Sequence, residues 1–192
     1  MNWRAITLAA AAAALALPLV AQNAAPVVQQ RKSNQQQRIG EGVENGSLTA
    51  GEAGRIEKQE THLNTEQRRM KSDGSLSPAE RARLQRQQSR MSKEIYNQKH
   101  DAQTQSLHPT TEVGQRERNQ QQRIGEGIEN GSLTPREAGR MEGREAATHR
   151  AVHNARSDGT VTPREHARIN SLQNRNSRAI YRQKHDRQRR PH

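Results

Sequence analysis

Apolar residues return every three or four positions along most of the chain, and nowhere do they alternate in twos over a useful length. Ala53, Ile56, Leu63 and Met70 make one stripe, and Leu84, Met91 and Ile95 the next. Thinner stripes follow at Ala138, Met141 and Val152, then at Ile169, Leu172 and Ile180. This period predicts amphipathic helices and these residues as their core. Four turns of nearly the same text separate them: Asn45-Gly-Ser-Leu-Thr49, Asp73-Gly-Ser-Leu-Ser77, Asn130-Gly-Ser-Leu-Thr134 and Asp158-Gly-Thr-Val-Thr162. Asn-Gly and Asp-Gly favour positive φ, which ends a helix in the left-handed conformation. The following Ser or Thr is placed to cap the next helix. Glu52, Glu80, Glu137 and Glu165 stand three residues later and complete a capping box. Pro78, Pro135 and Pro163 occupy the first helical position. An Asn-Gly turn also suits a β-hairpin, but the helical spacing of the flanks decides against it.

The similarity of the turns belongs to a larger duplication. Residues 34–101 align with 119–186 without a gap at an offset of 85, and 37 of the 68 pairs are identical. Each copy is expected to hold three helices, in copy one about Ser33 to Glu44, Thr49 to Met70 and Ser77 to Gln98. The fold class is therefore all-α, a tandem duplication of a small three-helix module with tight Asn/Asp-Gly turns. The chain divides into a leader (1–21), a polar lead-in (22–33), repeat one (34–101), a linker (102–118), repeat two (119–186) and a basic tail (187–192). The linker is polar and contains Pro109 and Gly114. Few apolar contacts are expected to cross it, so each copy is expected to fold as its own module.

The leader changes the setting. Arg4 precedes an apolar run from Ala5 to Leu19, closed by Val20-Ala21, which is the pattern of a secretory signal peptide cut before Gln22. The run is too short to span a bilayer and Pro18 interrupts it, so no membrane span is expected after cleavage. A periplasmic or secreted location follows. The chain has no cysteine, which excludes disulfides and thiolate chemistry. Its net charge of +12 brings it into contact with anionic surfaces such as lipopolysaccharide, acidic lipid headgroups or nucleic acid, and is equally explained as keeping a polar chain soluble. With no Phe and its single Trp in the leader, each copy can bury only a thin core. Tyr96 and Tyr181, at matching positions, are expected to cover the core's end.

Two metal chemistries are open. The turns resemble EF-hand loops over about 12 residues each. Turn one offers Glu41, Asn45 and Glu52, turn three Glu126, Asn130 and Glu137, and turn four Asn154, Asp158 and Glu165. The third loop position holds Val43, Ile128 or Arg156, which supply no side-chain oxygen for calcium. Turn two, with Arg69 and Lys71 before Asp73, fits less well. His149 and His153 are one helical turn apart, a spacing that chelates zinc, copper or nickel. No glycine-rich phosphate loop, nucleophile elbow or His-Glu-x-x-His is present, and most carboxylates read as caps or as solvated partners of arginine. The chain is not expected to be an enzyme or to need a cofactor.

The shared text runs from Asn-Gln-Gln-Gln-Arg-Ile through Gly-Ser-Leu-Thr-x-x-Glu-Ala to Ile-Tyr-x-Gln-Lys-His-Asp. It resembles a family of small exported proteobacterial proteins of unknown function. The resemblance covers both repeats and implies an exported setting, with no particular activity. The expected function is an exported, non-enzymatic interaction protein with a protein or an anionic surface as partner. The alternatives are a periplasmic binder of calcium or a transition metal, and a cationic binder of nucleic acid or lipopolysaccharide. Nucleic acid is the less favoured partner. The oligomeric state is left open.

Overall fold

The computed structural model describes residues 24–104 and 111–187. The leader, part of the linker and most of the basic tail lie outside these residues. Six helices follow in order: α1 (Ala24–Asn45), α2 (Ala50–Met70), α3 (Pro78–Lys99), α4 (Glu112–Glu129), α5 (Pro135–Ala155) and α6 (Pro163–Lys184). There is no strand among the described residues. The helix starts are set as the sequence predicts. Thr49, Ser77, Thr134 and Thr162 each close a two-way capping box with the glutamate three residues on. The four turn glycines, Gly46, Gly74, Gly131 and Gly159, all have positive φ, between 72° and 95°. Each cap contributes about 1 kcal/mol. The first helix of each copy starts earlier than expected: α1 includes part of the lead-in and α4 part of the linker.

Within a copy, polar contacts fix the directions of the helices. Gln35 Nε2 donates to the Gln88 carbonyl (2.8 Å) and to Ser92 Oγ (2.7 Å), and Lys99 reaches Glu41 at 3.4 Å, so α1 and α3 run side by side in the same direction. Gln59 donates to Glu94 (3.0 Å) and Arg55 to Gln98 (3.3 Å), so α2 runs against α3. Copy two repeats the first set: Gln120 donates to the Gln173 carbonyl and Ser177 Oγ, and Lys184 pairs with Glu126 at 3.0 Å. Gln88 and Gln173 donate to the Val28 and Val113 carbonyls in turn. Much of the text shared by the two copies is accounted for here. The Gln-Gln-Gln-Arg run, the mid-helix Gln88 and Gln173, and the Lys at the ends of α3 and α6 hold the first and third helices together.

The packing between copies differs from expectation. The most extensive neighbour of α1 is α4, and that of α2 is α5, while α3 packs on α1 and α2 and α6 on α4 and α5. One apolar cluster joins Ile39, Val43, Leu48, Ile56, Leu84 and Ile95 to Ile124, Ile128, Leu133, Met141 and Ile180. Only Val152, Ala155 and Ile169 form a separate cluster, with Val113 against it. The expectation of few apolar contacts between copies is therefore corrected, because the thin stripes of both copies are pooled into one core. Glycine makes the close approach possible. A Cβ on Gly40 would lie 3.0 Å from the Gly125 carbonyl oxygen, and one on Gly125 would lie 2.9 Å from that of Gly40. Gly54 and Gly139 face each other in the same way at the α2·α5 crossing, with more room. Both pairs are 85 apart, so the copies are related by a pseudo-twofold axis.

Candidate binding surfaces

Apart from Asn154, the turn residues with calcium-ligand side chains are used within the chain. Asn45 and Asn130 each accept the backbone N–H two residues on, at 2.9 Å, and Asp158 does so at 3.1 Å. Glu52, Glu137 and Glu165 accept the N-cap N–H of Thr49, Thr134 and Thr162 at 2.8, 2.9 and 2.9 Å. Hydrogen bonds from the Thr162 side chain and backbone hold the Glu165 carboxyl below its ordinary range. Glu41 and Glu126 face lysines of the third helices. The Asn154 carbonyl accepts from Ser157 Oγ at 2.7 Å. His153 is exposed and His149 half-buried on α5. Among the described residues, no three histidine, aspartate or glutamate side chains converge as a metal shell.

The structure also buries carboxyls that the sequence reading placed on solvated faces. Glu57, Glu60, Glu142 and Glu145 are all buried on α2 and α5, and Glu117 on α4 joins them. Gln36 donates to Glu60, and Gln121 donates to Glu142 at 3.3 Å. Desolvation, with Glu145 and Glu57 nearby, raises the Glu142 pKa well above the ordinary value. Desolvation and then the charge of Glu117 push Glu145 up to about 8, and desolvation pushes Glu117 to about 7 against the opposing effect of Arg156. The signal was present in the sequence. Glu60 lies four residues after Ile56 and three before Leu63, in phase with the apolar stripe, and Glu145 repeats it.

The outward faces of α3 and α6 are strongly cationic. Arg86, Arg90, Lys93 and Tyr96 are exposed on α3, with His100 at its C-cap, and Arg175, Arg178, Tyr181 and Arg182 on α6, with His185 at its C-cap. Neither tyrosine covers the core, which corrects the expectation. Ile95 and Ile180 take the inward positions, and the next residue is turned about 100° away. Each tyrosine stacks instead on a histidine one turn later, with ring centroids 4.2 Å apart for Tyr96–His100 and 4.1 Å for Tyr181–His185. Each histidine Nδ1 lies 2.7 Å from the tyrosine carbonyl oxygen. A carbonyl only accepts, so Nδ1 carries the proton and Nε2 is turned outward. The carboxylates of these helices are occupied: Glu80 and Glu165 by their caps and Glu94 by Gln59. No protein-family model, curated protein or solved structure matches this chain.

Proposed function

We propose that this chain is an exported, non-enzymatic interaction protein whose partner is an anionic surface bearing phosphate groups. The observation that carries this reading is the matched cationic face on the two outer helices. Arg90 and Lys93 on α3 recur as Arg175 and Arg178 on α6, each pair beside an exposed Tyr–His stack. These positions serve no core contact, yet the charge is kept in both copies. Clustered, solvated cations attract polyanions by counterion release and weaken steeply with salt. The tyrosines add an amphipathic ring suited to a polar–apolar boundary. The exported setting rests on the leader.

The test is co-sedimentation of the full-length product recovered from the exported fraction. It would be mixed with vesicles containing lipopolysaccharide, with neutral phosphatidylcholine vesicles and with duplex DNA. Binding to the first, lost as salt rises and reduced about tenfold or more by Arg90→Gln, Lys93→Gln, Arg175→Gln and Arg178→Gln together, is expected. Equal binding by that variant, or capture of DNA alone, would sink the reading.

A further inference from the structure

A cleft of about 380 Å³ opens where α2 crosses α5, lined by Lys58 and His62 on α2 and by Arg136, Arg140, Gly139 and Gly143 on α5. Its four basic side chains form two pairs. Lys58 and His62 are four residues apart on one helix, and Arg136 and Arg140 four apart on the other. Basic residues at that spacing face the same side about 5–6 Å apart, and when both are charged the pair destabilises an isolated helix. Here two such pairs meet across one cleft, and no acidic side chain lines it. None of the four takes part in an ion pair with a carboxylate among the described residues. Gly139 and Gly143 line it, and a side chain on Gly143 would meet nothing within 4 Å, so there is room for a ligand. Arg136 is also in the first turn of α5, where the helix dipole favours an anion.

The duplication supplies an internal control. The pseudo-twofold mate of this cleft has Gly143 for Lys58, Ala147 for His62, Gly51 for Arg136 and Arg55 for Arg140. Lys58 in turn takes the place of Gly143, so the mate holds two basic residues, Arg55 and Lys58, where the cleft holds four. The basic cleft is therefore not demanded by the packing of α2 on α5, which is equally close on the other side. It is an addition to one side of a symmetric scaffold.

We propose that this cleft is a discrete site for a single phosphate monoester, held between the Arg136–Arg140 and Lys58–His62 pairs. Two guanidiniums match the oxygens of a phosphate bidentately, and the ammonium supplies a point charge. His62 adds a ring N–H donor on the same face. The proposal rests on the reading of the protein as a binder of phosphate-bearing partners, and it assigns to one site what that reading spreads over α3 and α6.

The experiment titrates the full chain with inorganic phosphate and with glycerol 3-phosphate, followed by amide NMR and calorimetry. A third arm uses phosphatidylcholine vesicles containing phosphatidic acid, which separates a lipid headgroup from a free phosphate ester. Saturable binding in at least one arm is expected, with shifts centred on Gly139 and Gly143. Arg136→Gln with Arg140→Gln should weaken it about tenfold or more, and so should Gly143→Glu, which sets a carboxylate into open space at an exposed position. Arg69→Gln with Lys71→Gln, exposed cations outside the cleft and the outer faces, should leave it unchanged. Circular dichroism checks that every variant is folded. Equal affinity in folded cleft variants, shifts confined to α3 and α6, or no saturation in any arm would overturn the proposal. The first two of these would leave the outer-helix reading intact.

Discussion

Gly125 and Gly54 occupy helix interiors, where glycine costs up to about 1 kcal/mol relative to alanine. At Gly125 the cost is offset by contact. An added methyl would lie 2.9 Å from the Gly40 carbonyl oxygen, which cannot withdraw without parting α1 from α4, and would also displace the Glu44 side chain. At Gly54 the nearest atom would be 3.5 Å away, an ordinary contact. Gly125→Ala is therefore expected to destabilise by about 1–3 kcal/mol, and Gly54→Ala to be neutral or stabilising by up to about 1 kcal/mol. Paired thermal melts test this. Equal melting temperatures would mean that the α1·α4 crossing yields more easily than its geometry suggests. Neither glycine stands out in the sequence as an interface residue. A close crossing is a relation between two helices, and local text cannot carry it.

The helices themselves were readable because their starts are written in adjacent residues. Thr49 and Glu52, or Ser77 and Glu80, meet within one turn whatever the rest of the molecule does. The pairing of α2 with α5 was not readable, since a thin apolar stripe fits a helix of its own copy or of the other equally well. The glutamates in that stripe are its least expected feature, and they give the helix pair a pH dependence. In the unfolded chain Glu117 and Glu145 ionise near 4.5, and in the folded chain at about 7 and about 8. Between these values the folded state binds more protons, so stability falls as pH rises. The loss starts near pH 4.5 and is complete above about pH 8. At about 1.4 kcal/mol per pKa unit it amounts to several kcal/mol. Glu80 and Glu165 act in the other direction, because their caps lower the folded pKa and that contribution is lost in more acid solution. Melting temperature should thus peak at about pH 5 and decline toward pH 8. Glu145→Gln should raise it at pH 8 and flatten the profile. A wild-type profile that rises from pH 5 to 8 would show that the cluster is ionised when folded.

At the scale of the molecule, the shared core predicts that neither copy is stable alone. A fragment of residues 24–104 would expose Ile39, Val43, Leu48 and Ile56 on the faces that meet the other copy. Separate fragments 24–104 and 111–187 should be poorly helical when dilute and should recover helicity when mixed, as circular dichroism would register. Cooperative unfolding of either fragment alone as a monomer would contradict a pooled core. The pseudo-twofold makes the chain equivalent to a two-subunit assembly with its subunits tied end to end. Tying them makes the encounter intramolecular, at an effective concentration that reaches the millimolar range for short flexible connections. Two loose subunits would part on dilution, and the tied pair does not. The tie also releases each half from having to match the other. In a true dimer any substitution appears on both sides at once. Here Lys32 in one half corresponds to Glu117 in the other, and Lys58 to Gly143. A single gene can therefore keep one half for scaffolding while the other acquires a new surface.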